Sequence, residues 1–118
     1  SGCKLHLPMR TWINGRWFGE AEAGVDMQFS FADLIAHVAK SRPLTAGTLV
    51  GSGTIANEDT SKGASCLAEQ RTVETLRDGK PATPFLKFGD RVKIDITDQA
   101  GRSVFGAIEQ VVKQYVPA

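Results

Sequence analysis

From Lys4 to Ile13 the chain alternates, with Leu5, Leu7, Met9, Thr11 and Ile13 on one side and Lys4, His6, Arg10 and Trp12 on the other. That is the period of a half-buried strand. Pro8 interrupts the run, and because proline cannot donate to a ladder it puts this strand at a sheet edge or gives it a bulge there. Asn14-Gly15 follows, the pair that most readily takes positive φ, and predicts a type I′ hairpin turn between Ile13 and Arg16. Gly19 to Asp26 reads as a loop. Ser30 then opens a helix, with Asp33 three residues on to complete a capping box. Phe31, Leu34, Ile35 and Val38 share one face of it, Lys40 and Arg42 sit near its negative end, and Pro43 terminates it. This is expected to be the single principal helix.

Beyond Pro43 the pattern is short, β-branched and punctuated by glycine. Thr48 to Gly51 predicts a short strand entering the Gly51-Ser52-Gly53-Thr54 turn, and Ala56 to Ser65 a polar loop. The Asp78-Gly79 step predicts a second hairpin between Glu69–Leu76 and the segment from Lys80 onward. Val92, Ile94 and Ile96 alternate with Arg91, Lys93 and Asp95. Asp98 to Gly101 then turns the chain into a last strand through Val104, Ile108 and Val112, with a bulge or curl at Gly106. About six strands against one helix, joined by hairpins, make the fold mainly β (α+β), an antiparallel or mixed sheet that rolls up on itself.

Composition narrows the partners. At 118 residues the chain is one domain's worth, and 42% apolar with 23% charged residues is ordinary for a globular protein. Fourteen Lys and Arg against thirteen Asp and Glu leave no basic surplus to gather a phosphate backbone, so nucleic acid is excluded as an expected partner. No apolar stretch approaches the ~20 residues of a membrane span, and no signal pattern opens the chain. A cytoplasmic protein with reduced thiols at Cys3 and Cys66 is the expectation. The opening Ser1-Gly2 reads as a tag remnant or an internal start.

Chemistry concentrates at Ser52, Gly53 and Thr54, where a turn with two glycines exposes N–H groups beside two hydroxyls. Such a turn suits a carboxylate or enolate oxygen, although turn chemistry alone also fits a flexible connection. Glu20-Ala21-Glu22 with Asp26 nearby imitates an oxygen-ligand site, but alternate residues point together only on a strand, and this stretch reads as a solvated acidic loop. No metal ligand is assigned to this chain. His6 falls on the polar side of the first strand and His37 on the flank of the helix, which supports neither a zinc site nor a Ser-His-Asp triad. Trp12, Trp17 and Phe18 straddle the hairpin, either as cross-strand packing or as an exposed contact surface.

Two longer elements carry a resemblance. LTAGTLVGSGTIANEDTSKGASCLAE, from Leu44 to Glu69, and FLKFGDRVKIDITDQAGRSVFGAIEQVV, from Phe85 to Val112, resemble in this order the closing part of the fumarylacetoacetate hydrolase family. The likeness extends from about Leu5 to Val112, and His6–Arg10, Ala23–Met27 and Leu34–His37 look most like its bacterial fumarylacetoacetase-like members. Thr48 departs from the pattern, standing where the family's Gly-Asp element has its Asp.

By this resemblance residues 1–118 are the C-terminal portion of a catalytic domain, with that family's mixed β-sandwich roll. Thr54, with the backbone around Ser52 and Gly53, would hold the substrate carboxylate. Glu69 would orient a catalytic histidine from an earlier part of the chain. The resemblance implies an enzyme that cleaves a C–C bond in a β-diketo acid, fumarylacetoacetate giving fumarate and acetoacetate in tyrosine degradation. By the resemblance a histidine would activate the water that attacks a carbonyl, and Mg²⁺ or Ca²⁺, when bound, would supply Lewis-acid polarisation of the diketone. The ion's carboxylates and the histidine lie upstream in the family, so this chain alone is expected to bind no metal and to lack a complete site. The implied partners are the upstream part of the same enzyme and a second copy in a homodimer. Relatives acting as acylpyruvate hydrolases, oxo-acid decarboxylases, hydratases or isomerases leave the substrate open. A non-catalytic β-rich interaction module, using the Trp12/Trp17/Phe18 hairpin and the 56–65 loop, is the alternative from another class.

Overall fold

Asn14 and Gly15 adopt φ of 51° and 75°, the positive values a tight hairpin demands, so β1 (Pro8–Ile13) folds directly back on β2 (Arg16–Glu22) as the sequence predicts. The computed structural model describes residues 2–117. Asn14 does more than turn the chain. Its N–H donates to the Arg91 carbonyl at 2.8 Å, its Oδ1 accepts from the Arg91 N–H at 2.8 Å, and its Nδ2 donates to Asp90 Oδ1 at 2.9 Å. The hairpin tip is thereby tied to the start of β3 (Arg91–Ile96), which pairs antiparallel with β1 from Ile13↔Val92 to Met9↔Ile96.

The sheet order is β2-β1-β3-β4, with β4 spanning Ile108–Val111 and every pairing antiparallel. This corrects the edge position expected for the first strand, because β1 is an inner strand. Pro8 is tolerated as its first residue: it lies opposite Glu22 on β2, while the ladder with β3 begins one residue later. The bulge falls between Thr11 and Trp12, where β2 supplies Phe18 as an extra residue, and not at Pro8.

The loop expected over Gly19–Asp26 is also corrected, since β2 continues to Glu22. Gly19 is there for space. A Cβ on it would fall 2.1 Å from the Ala64 carbonyl oxygen, and Gly19 forms an isolated bridge with Gly63 as the 63–64 segment crosses β2. Ala21 and Ala64 are buried, as is Thr11, which lies opposite Gly19. The buried apolar positions among the described residues are thus held by small side chains.

Helix α1 (Phe31–Ala39) has the expected capping box: Ser30 Oγ accepts from the Asp33 N–H, and Asp33 Oδ2 accepts from the Ser30 N–H at 2.9 Å. It is not the one principal helix. The longer α2 runs over Leu67–Asp78, where a strand and an Asp-Gly hairpin were expected. Leu67, Ala68, Glu69, Gln70 and Arg71 are strong helix formers. The β-branched Thr72 and Thr75 are accommodated by donating their hydroxyls to the carbonyls of Ala68 and Arg71 four residues back. Gly79, at φ 80°, is the left-handed cap of this helix, its N–H on the Thr75 carbonyl. An Asp-Gly step serves a hairpin or a helix stop equally well, which is why the local reading failed.

Thr48–Gly51 forms no strand. The last strand is confined to Ile108–Val111, leaving Val104 and Val112 outside it and Gly106 before it. The architecture is α+β as expected, with one four-stranded antiparallel sheet and two helices in place of about six strands and one helix. A short 3₁₀ turn at Thr60–Lys62, capped by Asp59, adds to the 56–65 loop. No helix among the described residues is long and apolar enough to cross a membrane.

Glu74, on α2, is the one charged side chain buried among the described residues. It accepts from the hydroxyl and N–H of Thr83, from Gln70 Nε2 and from the Ala82 N–H, clasping the 81–83 segment to the helix. The Thr83 hydroxyl, followed by its N–H and the Gln70 amide, outweighs the opposing effect of burial and holds the carboxyl down to about 2, from an ordinary 4.5.

The sheet leaves much apolar surface uncovered. The chain's accessible surface is 8741 Å², against about 6,200 Å² for a compact monomer of this mass. Its radius of gyration is 16.7 Å, against about 13.5 Å for a compact domain of this length. All four residues of β4 are exposed, as are Phe88, Phe105 and Tyr115, and no large side chain among the described residues is fully buried. The surplus of roughly 2,500 Å² is what a permanent protein interface buries.

Because folding depresses the Glu74 pKa, its contribution to stability is present above its unfolded value near 4.5 and is lost as pH falls towards 2. Urea unfolding of the wild type and Glu74→Gln should differ most above about pH 5 and converge near pH 2. A gap that stays constant across that window would show that the clasp does not depend on the charge. The uncovered surface predicts that the isolated chain binds a hydrophobic dye strongly or sediments as an oligomer; a dye-silent monomer would contradict it.

Candidate functional site

The Ser52-Gly53-Thr54 turn is exposed and carries Gly53 at φ 87°, a conformation that glycine adopts without strain. Its position is set just downstream by Asn57. Asn57 Oδ1 accepts from the Glu22 N–H at 2.7 Å, while its Nδ2 donates to the carbonyls of Glu22 at 3.1 Å and Val25 at 3.3 Å. The Glu58 N–H donates to Asp26 Oδ2 at 3.0 Å, and the Ser65 hydroxyl donates to the Ile55 carbonyl. The 55–58 segment is therefore stapled to the end of β2 and the residues after it.

This brings Ser52 and Thr54 to one cavity of about 320 Å³, whose other wall is built from Ala23, residues 25–29 and Leu34. Its polar lining residues are Ser52, Thr54, Gln28 and Asp26; Val25, Phe29 and Leu34 are among its apolar ones. Ser52 also borders a neighbouring cavity of about 470 Å³ with Lys4 and Phe31, and the Lys4 ammonium donates to the Met27 carbonyl at 2.6 Å. Gly53 serves the backbone and does not line the cavity.

Glu69 lies elsewhere. It is the third residue of α2, half-buried, and borders neither of those cavities. Its Oε2 is buried with no hydrogen-bond partner, an arrangement that costs about 1–3 kcal/mol unless a donor arrives from elsewhere. The structure thus joins Ser52 and Thr54 at one cavity and leaves Glu69 apart from them.

Glu20 and Glu22 lie on β2 and share a side of it, contrary to the loop expected there. Each is already engaged: Glu20 pairs with Arg10 at 3.6 Å, and Glu22 Oε1 accepts from the Gly24 N–H at 2.9 Å. No group of three His, Cys, Asp or Glu that can hold a metal ion occurs among the described residues. The residues present do not fit a divalent cation by themselves. His37 sits exposed in the last turn of α1, and the His6 ring packs so closely on Gly24 that a Cβ there would lie 2.6 Å from its Nδ1. Trp12 faces Trp17 across the hairpin and carries the Lys93 ammonium 5.5 Å from its ring centre, while Trp17 remains exposed. Cys3 and Cys66 are both free thiols.

The sequence reading missed Asn57 and the placement of Asp26. The only local signal was polarity. Asp26 holds φ 60°, which Asp and Asn tolerate better than other side chains, and this aims its carboxylate at the 58 backbone. Replacing Asn57 by Ala should lower stability by about 1–3 kcal/mol, read by chemical denaturation. A loss below about 0.5 kcal/mol would show that other contacts hold the turn.

Residues 4–113 match the model of the fumarylacetoacetate (FAA) hydrolase C-terminal domain. No curated protein matches the chain. The match spans nearly the whole sequence, from before β1 to beyond β4, and takes in the Ser52–Thr54 turn, the cavity it borders and Glu69 alike. With these residues matched in a single run, the chain belongs to the fumarylacetoacetate hydrolase family, a family of hydrolase- and isomerase-type enzymes, through its C-terminal domain.

Proposed function

We propose that this chain is the C-terminal portion of a catalytic domain that hydrolyses a C–C bond in a β-diketo acid of the kind fumarylacetoacetate exemplifies. The observation that carries this reading is the buried, partnerless Oε2 of Glu69. A carboxylate oxygen in that state calls for a donor, and the N–H of an imidazole from outside these residues supplies one. Accepting that N–H fixes the imidazole tautomer and leaves its other nitrogen free to take a proton from water. The Ser52 and Thr54 hydroxyls donate to the substrate carboxylate in the cavity they share. Water adds to the carbonyl, the adjacent C–C bond breaks, the fragment that gains the hydroxyl leaves as a carboxylic acid, and the departing enolate is protonated.

The described residues offer no cation site, so the Mg²⁺ or Ca²⁺ implied by the resemblance belongs to the rest of the enzyme, and no step above is assigned to it. The roughly 2,500 Å² of surplus surface supports a chain that packs against that part, completing the family's rolled sandwich, and against a second copy in a cytoplasmic homodimer.

The test is hydrolysis by the full-length enzyme with Mg²⁺ or Ca²⁺, using fumarylacetoacetate, acylpyruvates and oxaloacetate. Glu69→Gln should lower kcat about 10²-fold or more with little change in KM, whereas Thr54→Ala should act mainly through KM. This chain alone should be inactive. Turnover of oxaloacetate only, or full activity in the isolated chain, would overturn the reading.

A further inference from the structure

We propose that Ser65 is a positioning residue for this reaction, the post that holds the Ser52–Thr54 turn and Glu69 at a fixed separation. This rests on the reading that the turn takes the substrate carboxylate and that Glu69 orients the imidazole. The two lie on different pieces of chain, an exposed glycine-rich turn and the first turn of α2. The Ser65 hydroxyl spans them. It donates to the carbonyl of Ile55, the neighbour of Thr54, while Ser65 itself stands two residues before α2 and four before Glu69. Among the described residues no other hydrogen bond runs directly between 52–58 and 63–70.

Ser65 is anchored from behind and free to reach across. Gly63 bridges Gly19 on β2, and Ala64 is buried with its carbonyl oxygen against Gly19. Cys66 is the N-cap of α2 and makes no side-chain cap bond, so the Ser65 hydroxyl is spent on Ile55 and not on the helix. The Gln70 N–H donates to the Cys66 carbonyl at 3.1 Å, closing the turn of α2 that carries Glu69. Ser65 lines neither cavity that Ser52 borders, so it acts through Thr54 and Glu69 and not on the substrate. A turn released from α2 binds the carboxylate less well and presents the carbonyl to the imidazole out of place, and a displacement of about 1 Å can cost about 10²-fold. Asn57 still ties the segment to β2 in Ser65→Ala, which therefore loosens the turn without unfolding it.

The experiment compares Ser65→Ala and Ser65→Thr with the wild type in the full-length enzyme. Ser65→Ala should raise KM and lower kcat, each about threefold or more, so that kcat/KM falls about tenfold or more. The acid limb of kcat/KM should move to lower pH, because the imidazole loses the carboxylate that favours its charged form. Ser65→Thr keeps the hydroxyl and should restore all three. A residue that only stabilised the fold would scale kcat through the active fraction and leave KM and the pH limb unmoved. That result, or a Thr variant as impaired as Ala, overturns the proposal. Calorimetry with 4-oxopentanoate, an unreactive keto acid, separates it from the hydrolase reading, which falls if no diketo acid is turned over. In that case Ser65 keeps its role if Ser65→Ala weakens this acid about threefold or more and shifts the NMR titration of the same histidine that Glu69→Gln shifts. It loses that role if either stays unmoved.

Discussion

Asn14 is where the sheet is assembled, since its backbone makes the hairpin and its side chain, with its N–H, grips Asp90 and Arg91 more than seventy positions away. Once β1 is held there, it becomes the inner strand between β2 and β3 instead of an edge. At the far end of the same pairing, Arg10 donates to the Thr97 hydroxyl and pairs with Glu20, so β1 is braced at both ends. These are polar contacts at the sheet's margins. The apolar contribution is small, because the buried hydrophobic side chains among the described residues are two alanines.

That thin core explains the character of the rest. The open faces of the sheet leave little buried apolar area to hold it, and the surplus surface is of the size that permanent interfaces bury. Glu69 shows a related feature in chemical form, a carboxylate oxygen buried with no hydrogen-bond partner. Unburied apolar groups and an unsatisfied buried acceptor are both features that the proposed partner surface would satisfy. The family match gives that demand a chemical context.

The cavity beside Ser52 and Thr54 depends on a different kind of contact. Asn57 substitutes for a strand: it takes hydrogen bonds that would otherwise pair β2 with a neighbour, and so positions an irregular segment as firmly as a ladder would. Glu74 does the same for the 81–83 segment. Loops held this way keep the conformational freedom that glycine-rich turns need while presenting side chains in fixed places.

Some of this was legible in the sequence for local reasons. The positive φ of Asn14-Gly15 and the Ser30/Asp33 capping box are set by residue type and by partners within four positions, so they were readable locally, even though the side chain of Asn14 goes on to bond distant residues. The alternation of Val92, Ile94 and Ile96 likewise marked β3. The Ser52–Thr54 turn stood out by its glycines and hydroxyls and took its expected role from the family resemblance, which alone pointed to Glu69. What only the tertiary structure decided is whatever depends on distant partners. Gly19 reads as loop punctuation until the Ala64 carbonyl is seen lying against it, and Asp78-Gly79 reads as a hairpin until Thr83 and Ala82 close on Glu74 and hold α2 as a helix. Local chemistry specifies turns and caps because their partners are near in the chain. Strand position, cavity lining and the placement of Asp26 and Asn57 are set by contacts between residues dozens of positions apart, which no window of sequence contains.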